Sequence, residues 1–139
     1  MNNPEYIIIH CSATPAGKPF TIADIDRWHK AQGWKGCGYH LVVHLDGSYA
    51  RGRADNAEGA HCPQQSMNRR SISICYIGGL DGQGNPADTR TPEQKRTIIT
   101  LIRTLRARYG NLPVIGHRDV KGVAKACPCF DASKEYPNI

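Results

Sequence analysis

Apolar residues along this chain fall into two rhythms, and the rhythms predict which segments become strands and which become helices. Tyr6 to Ile9 is a short unbroken apolar run, the mark of a strand buried on both faces. Pro15, Gly17 and Pro19 then break the chain into a loop. Thr21-Ile22-Ala23-Asp24 sets a hydroxyl cap three residues before an acid. Ile22, Ile25 and Trp28 follow at helical spacing, and Gly33 stops the helix. Tyr39 to Leu45 and Ser48 to Arg53 flank Asp46-Gly47, the signal for a hairpin closed by a type I′ turn. Ser71 to Ile77 alternates and is rich in isoleucine, so it reads as a central strand. The second helix carries the fullest set of signals. Thr91 is its N-cap, Pro92 takes the first helical position and Gln94 completes a capping box. Ile98, Leu101, Ile102, Leu105 and Tyr109 form one stripe, and Gly110 ends it. Val114 and Ile115 give a last short strand before an irregular C-terminal segment. Helices between strands predict an α/β chain with a mixed central sheet flanked by helices, the hairpin supplying its antiparallel part. At 139 residues it is expected to be a single domain over 1–139.

Composition narrows the partners. Hydrophobic residues make up 40% and charged residues 22% of the chain, which fits a globular protein in water. No apolar run approaches the ~20 residues of a membrane-spanning helix. Tyr6 to Ile9 also falls short of a signal-peptide core of ~7–15 residues, so synthesis in the cytoplasm without a signal peptide is expected. Lys and Arg outnumber Asp and Glu by 18 to 12, a net charge of +6 that favours a polyanion: nucleic acid, anionic lipid or an acidic wall polymer. Paired Cys and His knuckles are absent and aromatic residues are only 7%, so stacking platforms are scarce and nucleic acid is not the expected partner. No membrane partner is expected either. The six cysteines are expected as reduced thiols, some buried and some available to a metal.

The candidate chemistry lies at strand ends. His10 follows the first strand and His117 the last, so parallel strands would bring both imidazoles to the carboxyl edge of the sheet, where open α/β sheets place their sites. Cys127 lies ten residues beyond His117, in a segment with no regular pattern. Two neutral imidazoles and one thiolate suit Zn²⁺ and leave a fourth position open. Spacing alone does not separate this reading from a plainer one, in which His10 is a satisfied polar residue at a strand end.

Further residues match a known family in order. They are Tyr6-Ile-Ile-Ile-His-Cys-Ser-Ala-Thr14, Arg27-Trp-His29, Gly33-Trp34, Gly38-Tyr-His40, Ser71-Ile72 through Gly78-Gly79, Gly116-His117, and Lys125-Ala-Cys-Pro128 with Phe130-Asp131. Together they resemble the zinc-dependent N-acetylmuramoyl-L-alanine amidases of type 2, a family that includes peptidoglycan recognition proteins and small phage amidases. The resemblance runs from Tyr6 to about Asp131. It implies the fold of that family and hydrolysis of the bond between N-acetylmuramic acid and L-alanine in peptidoglycan. One Zn²⁺ per chain would be held by His10, His117 and Cys127. Tyr39 and Lys125 would be the catalytic pair, and His61 and Asn68 would contact the muramoyl peptide. It further implies a monomer that acts on the cell wall after release or by a non-classical route.

Two departures stand out: the stretch around Lys121-Gly122 is longer than in the small phage enzymes, and Cys129 replaces the usual serine. Cys127 is the expected ligand, with Cys129 a neighbouring or buried thiol. The alternative within the family is a peptidoglycan-binding module without catalysis. Such members typically lack the thiolate ligand, whereas this chain keeps Cys127, Tyr39 and Lys125 together. The plain readings cover the rest: His40 and His44 as structural residues, His29 as a solvated helix residue, and Cys11, Cys37, Cys62 and Cys75 as small buried hydrophobes.

Overall fold

The alternating run near the middle of the chain becomes the middle strand of the sheet. The computed structural model describes residues 3–137 and 139. In chain order the elements are β1 (Tyr6–Cys11), β2 (Thr14–Pro15), α1 (Ile22–Ala31), β3 (Leu41–Val43), β4 (Tyr49–Arg51), β5 (Ser71–Tyr76), β6 (Gly79–Leu80), α2 (Pro92–Tyr109), β7 (Val114–Gly116) and α3 (Ala132–Glu135). Five strands form one sheet in the order β4-β3-β5-β1-β7. The β3–β5, β5–β1 and β1–β7 pairs are parallel, and β4 is antiparallel to β3. This is the expected mixed α/β architecture. A small parallel pair, β2 with β6, lies outside the main sheet and had no signal in the sequence.

Side-chain alternation gives the sheet two unlike faces. Ile7, Ile9, Ile72, Ile74 and Tyr76 pack against Ile98, Leu101, Ile102 and Leu105 of α2. The other face is mixed. Ile25 of α1 meets Val42, Cys75 and Ile77 there, and Ile8 meets Cys62, Met67 and Val120. On that same face β5 places Ser71 and Ser73, both fully buried. Ser73 serves His40: its backbone N–H donates to His40 Nδ1 at 3.1 Å, and His40 Nε2 donates to the Ala57 carbonyl at 2.8 Å. His40 is therefore structural, as expected, and so is His44, whose Nε2 accepts the Ile22 N–H at 3.2 Å.

The capping box of α2 forms as read. Gln94 N–H donates to Thr91 Oγ1 at 3.1 Å, and Thr91 N–H donates to Gln94 Oε1 at 2.9 Å. The Gln94 amide also donates to the Val43 and Ile77 carbonyls, so the cap doubles as a bolt between helix and sheet.

The hairpin differs from expectation. Gly47 N–H bonds the His44 carbonyl at 2.9 Å and His44 N–H bonds the Ser48 carbonyl at 2.8 Å, which makes Leu45-Asp46-Gly47 a three-residue loop. Only Gly47 takes a positive φ, +87°, whereas a type I′ turn needs two such residues. Asp46 instead accepts the Ser48 N–H at 2.9 Å, a side-chain turn that holds its own backbone in the ordinary region. The strands are also shorter than the apolar runs predicted, with pairing confined to Leu41–Val43 and Tyr49–Arg51. The C-terminal segment, read as irregular, is organised by Arg90. Its side chain is 1% exposed, bonds both Asp88 and Glu135, and lies 3.3 Å over the Phe130 ring. That clasp fixes the segment that carries Cys127.

Ile74 lies in the apolar face with no exposure. Ile74→Ala is expected to cost ~2–5 kcal/mol, as buried isoleucine truncations do. Urea denaturation should show a lower midpoint with an unchanged slope. A loss under about 1 kcal/mol would show that this face repacks freely.

Candidate active site

Parallel pairing builds the site. His10 is the next-to-last residue of β1, and Ile9 pairs with Gly116 of β7, so His117 emerges beside it. Their ring centroids are 4.4 Å apart. Cys127 arrives from the C-terminal segment, where its Sγ accepts the Cys11 N–H at 3.2 Å and its carbonyl accepts the Arg118 N–H at 2.8 Å. The Sγ is 3.9 Å from His10 Nδ1. One donor atom from each of His10, His117 and Cys127 lies within 4.8 Å of the others, and among the described residues no other group of His, Cys, Asp or Glu converges this way. Zn–N bonds of ~2.0–2.1 Å and a Zn–S bond of ~2.3 Å suit such a cluster, with one coordination position left open. The donor set fits zinc.

A cavity of about 650 Å³ opens over the cluster, lined by all seven expected site residues: His10, Tyr39, His61, Asn68, His117, Lys125 and Cys127. Cys129 is not among them. Its Sγ sits 3.9 Å from Cys11 Sγ and 3.4 Å from the Gly79 carbonyl oxygen, and burial pushes its thiol up to about 11. The two thiols either side of Pro128 thus have different neighbours, Cys129 Sγ lying by Cys11 Sγ and Cys127 Sγ by His10 Nδ1.

Electrostatics favour neutral rings and a protonated phenol. Burial above all, then His61, His117 and Lys125, holds His10 well below the ordinary histidine range. His61 is depressed likewise by burial, then by His40 and His117. Burial, then the neighbouring Cys75 and Cys127 thiols, pushes Tyr39 well above the usual phenol range, so it keeps its proton and can donate. Lys125 is exposed on the cavity rim.

Two expected substrate contacts are bonded inward. Asn68 Oδ1 accepts the backbone N–H groups of His61 and Cys62, each at 2.8 Å. His61 Nδ1 is 2.9 Å from His10 Nε2. His29 departs from expectation. It is half-buried rather than solvated, its Nδ1 accepts the Gly38 N–H at 2.8 Å, and its ring packs at a tilt against Trp34 at the cavity wall, the centroids 4.5 Å apart. The chain returns over the end of α1 at Gly38, where any Cβ would collide with the Ala60 carbonyl oxygen. Nothing in the local pattern announces that return, so His29 reads from sequence as one more polar helix position.

This fold and cluster define a class, the α/β domains of amidases and peptidoglycan recognition proteins. The structure superposes on the N-acetylmuramoyl-L-alanine amidase LysCS of Clostridium intestinale with a TM-score of 0.77 at 33% identity, covering 94% of this chain and 78% of that one. It is similar to a mutant of Drosophila PGRP-LB in complex with tracheal cytotoxin, with a TM-score of 0.79 at 25% identity over 97% of this chain and 80% of that one. In sequence it is 37% identical to the endolysin of Escherichia phage T7 over 130 residues, 94% of this chain and 83% of the relative. Residues 1–130 match the N-acetylmuramoyl-L-alanine amidase family, and the chain belongs to it. Its activity is hydrolysis of the amide that joins N-acetylmuramic acid to L-alanine in peptidoglycan.

The buried imidazoles set a pH dependence. His10, His40 and His61 all bind protons less readily folded than unfolded. The unfolded chain therefore takes up more protons below the ordinary histidine pKa of ~6.5, and stability falls as pH drops through that value. The paired carboxylates, depressed when folded, lose their contribution only below about pH 4. Metal-free protein should show a falling melting temperature from pH 7 to 5. A flat profile there would mean the rings are not buried neutral.

Proposed function

We propose that this amidase is a zinc hydrolase of cell-wall lysis, with His10, His117 and Cys127 as the metal ligands and Tyr39 and Lys125 as the catalytic pair. The observation that carries the reading is the convergence of that N,N,S donor set with a phenol and an ammonium on one cavity. Bound at the cluster, Zn²⁺ supplies a Lewis acid and lowers the pKa of water. The chain's own groups do the rest. Lys125, two residues before Cys127, places a cation at the rim where the scissile carbonyl turns into an oxyanion. Tyr39, kept protonated by its surroundings, donates a hydrogen bond to the same developing charge or orients the attacking water. His10, held neutral by its burial, has a ring nitrogen lone pair to offer the ion.

The muramoyl peptide is proposed to lie along the cavity walled by His61 and Asn68. A second hollow of about 660 Å³ shares Trp34 and Ala60 with the first and extends the cleft. Each chain holds a full set of these groups, so the monomer is the proposed working unit. The net charge of +6 suits an anionic wall polymer. Among the described residues no helix is long and apolar enough to cross a membrane, and the wall is the proposed site of action.

Incubation with purified sacculi, followed by mass spectrometry, tests the reading: peptides with a free L-alanine amino group should be released. Chelation should abolish release and added zinc restore it, whereas full activity without metal would overturn the zinc assignment. Cys127→Ser should lose zinc and nearly all turnover, while Cys129→Ser keeps both; the reverse pattern would make Cys129 the ligand.

Lys125→Ala removes one transition-state donor, a change typically worth ~10²–10³ in kcat. Zinc content and melting temperature should hardly move, because the side chain is exposed. Unchanged turnover in this variant would remove Lys125 from the mechanism.

A further inference from the structure

A line of three buried side chains runs from the metal cluster into the mixed face of the sheet. His10 Nε2 lies 2.9 Å from His61 Nδ1, His61 Nε2 lies 3.4 Å from Ser71 Oγ, and Ser71 Oγ lies 2.7 Å from the Met67 carbonyl oxygen. His10 is 1% exposed, His61 9% and Ser71 not at all, so the line is buried for most of its length. The direction of every hydrogen bond follows from its far end. A carbonyl oxygen can only accept, and two oxygens 2.7 Å apart need a proton between them, so the Ser71 hydroxyl donates to Met67. Having used its one proton there, Ser71 Oγ can only accept from His61 Nε2. That nitrogen therefore carries the single proton of a neutral His61, and Nδ1 is bare. His10 Nε2 must then be the donor, which leaves His10 Nδ1 without a proton. Nδ1 is the nitrogen that stands 3.9 Å from Cys127 Sγ.

We propose that His61 is a positioning residue: with Ser71 and the Met67 carbonyl behind it, it fixes His10 in the tautomer whose bare Nδ1 faces the metal cluster. This deepens the zinc reading above and rests on it. Ligating histidines generally need such an outer acceptor to hold tautomer and ring orientation, and its loss typically costs ~10–100-fold in metal affinity. The surroundings hold His61 itself in place. Asn68 takes the backbone N–H groups of His61 and Cys62, and Gly59 leaves room for the ring, since a Cβ there would run into His61 Cδ2. Ser71 owes its place to β5, whose alternation sends it to the same face as His10.

Zinc affinity of the metal-free protein, measured by competition with a chromophoric chelator, tests the proposal without reference to activity. His61→Leu keeps bulk but offers no acceptor, and zinc should bind ~10–100-fold more weakly. His61→Gln restores both an acceptor and a donor and should recover most of the affinity. Ser71→Ala, which removes the anchor without touching the cavity wall, should weaken zinc in the same direction by less. Nitrogen-15 spectra of histidine-labelled metal-free wild type read the tautomer directly and should show His10 protonated at Nε2 and bare at Nδ1. Wild-type zinc affinity in folded His61→Leu, or a His10 ring protonated at Nδ1, would overturn the positioning role. The wild-type spectrum decides the matter even if the leucine variant fails to fold. A wild-type protein that binds no zinc would instead refute the zinc reading itself.

Discussion

Parallel pairing of Tyr6–Cys11 with strands on both sides is the constraint on which the rest of the structure depends. In a strand, neighbouring side chains point to opposite faces, and a slip of one residue exchanges the faces. In the observed register Ile7 and Ile9 enter the apolar layer under α2, while His10 enters the mixed face. Shifted by one position, β1 would drive His10 into a layer of isoleucine and leucine and leave it unpaired. The apolar layer thus holds the register, and the register holds the site. Hydrophobic burial and catalysis are linked here through the geometry of a single strand.

The mixed face carries the cost of that arrangement. Burying an imidazole or a hydroxyl without a partner costs on the order of 1–3 kcal/mol, and this face buries several. Yet among the described residues every buried side-chain nitrogen and oxygen has a hydrogen-bond partner. Ser73 answers His40, and Ser71 answers His61. The two serines occupy alternate positions on β5, the strand whose other face carries Ile72, Ile74 and Tyr76. One strand therefore supplies both the core of the fold and the polar footing of the site.

Much of this was legible in the sequence, and the limits of legibility have physical causes. The α2 helix could be read because its cap, its stripe and its glycine stop are all local signals. The mixed sheet and the convergence of His10 with His117 followed from strand order and parallel direction. The hairpin turn was misjudged because Asp46-Gly47 suits two loop lengths, and the choice between them rests on the side chain of Asp46 bonding forward to Ser48. His29 was misjudged because its burial comes from a return of the chain at Gly38, a tertiary event with no periodicity. Ser71 and Ser73 did leave a signal: small hydroxyls at alternate positions of a strand that is otherwise fit for full burial. Such hydroxyls on a buried face imply polar partners across from them.

Cys127 shows how a residue outside any regular element can still be held to a site. Irregular backbone offers no ladder to fix it, so its position must come from contacts at both ends. Upstream, the Cys127 carbonyl takes the Arg118 N–H just beyond His117, which ties the segment of Cys127 to that of His117. Downstream, Tyr76 of the central strand donates its hydroxyl to the Pro128 carbonyl at 2.6 Å. Beyond that, Arg90 locks Phe130 and Glu135 against the start of α2. The thiol itself receives the backbone N–H of Cys11 at 3.2 Å, a contact that pins the sulfur to the end of β1. The strand that presents His10 thus also holds the sulfur of Cys127 beside it.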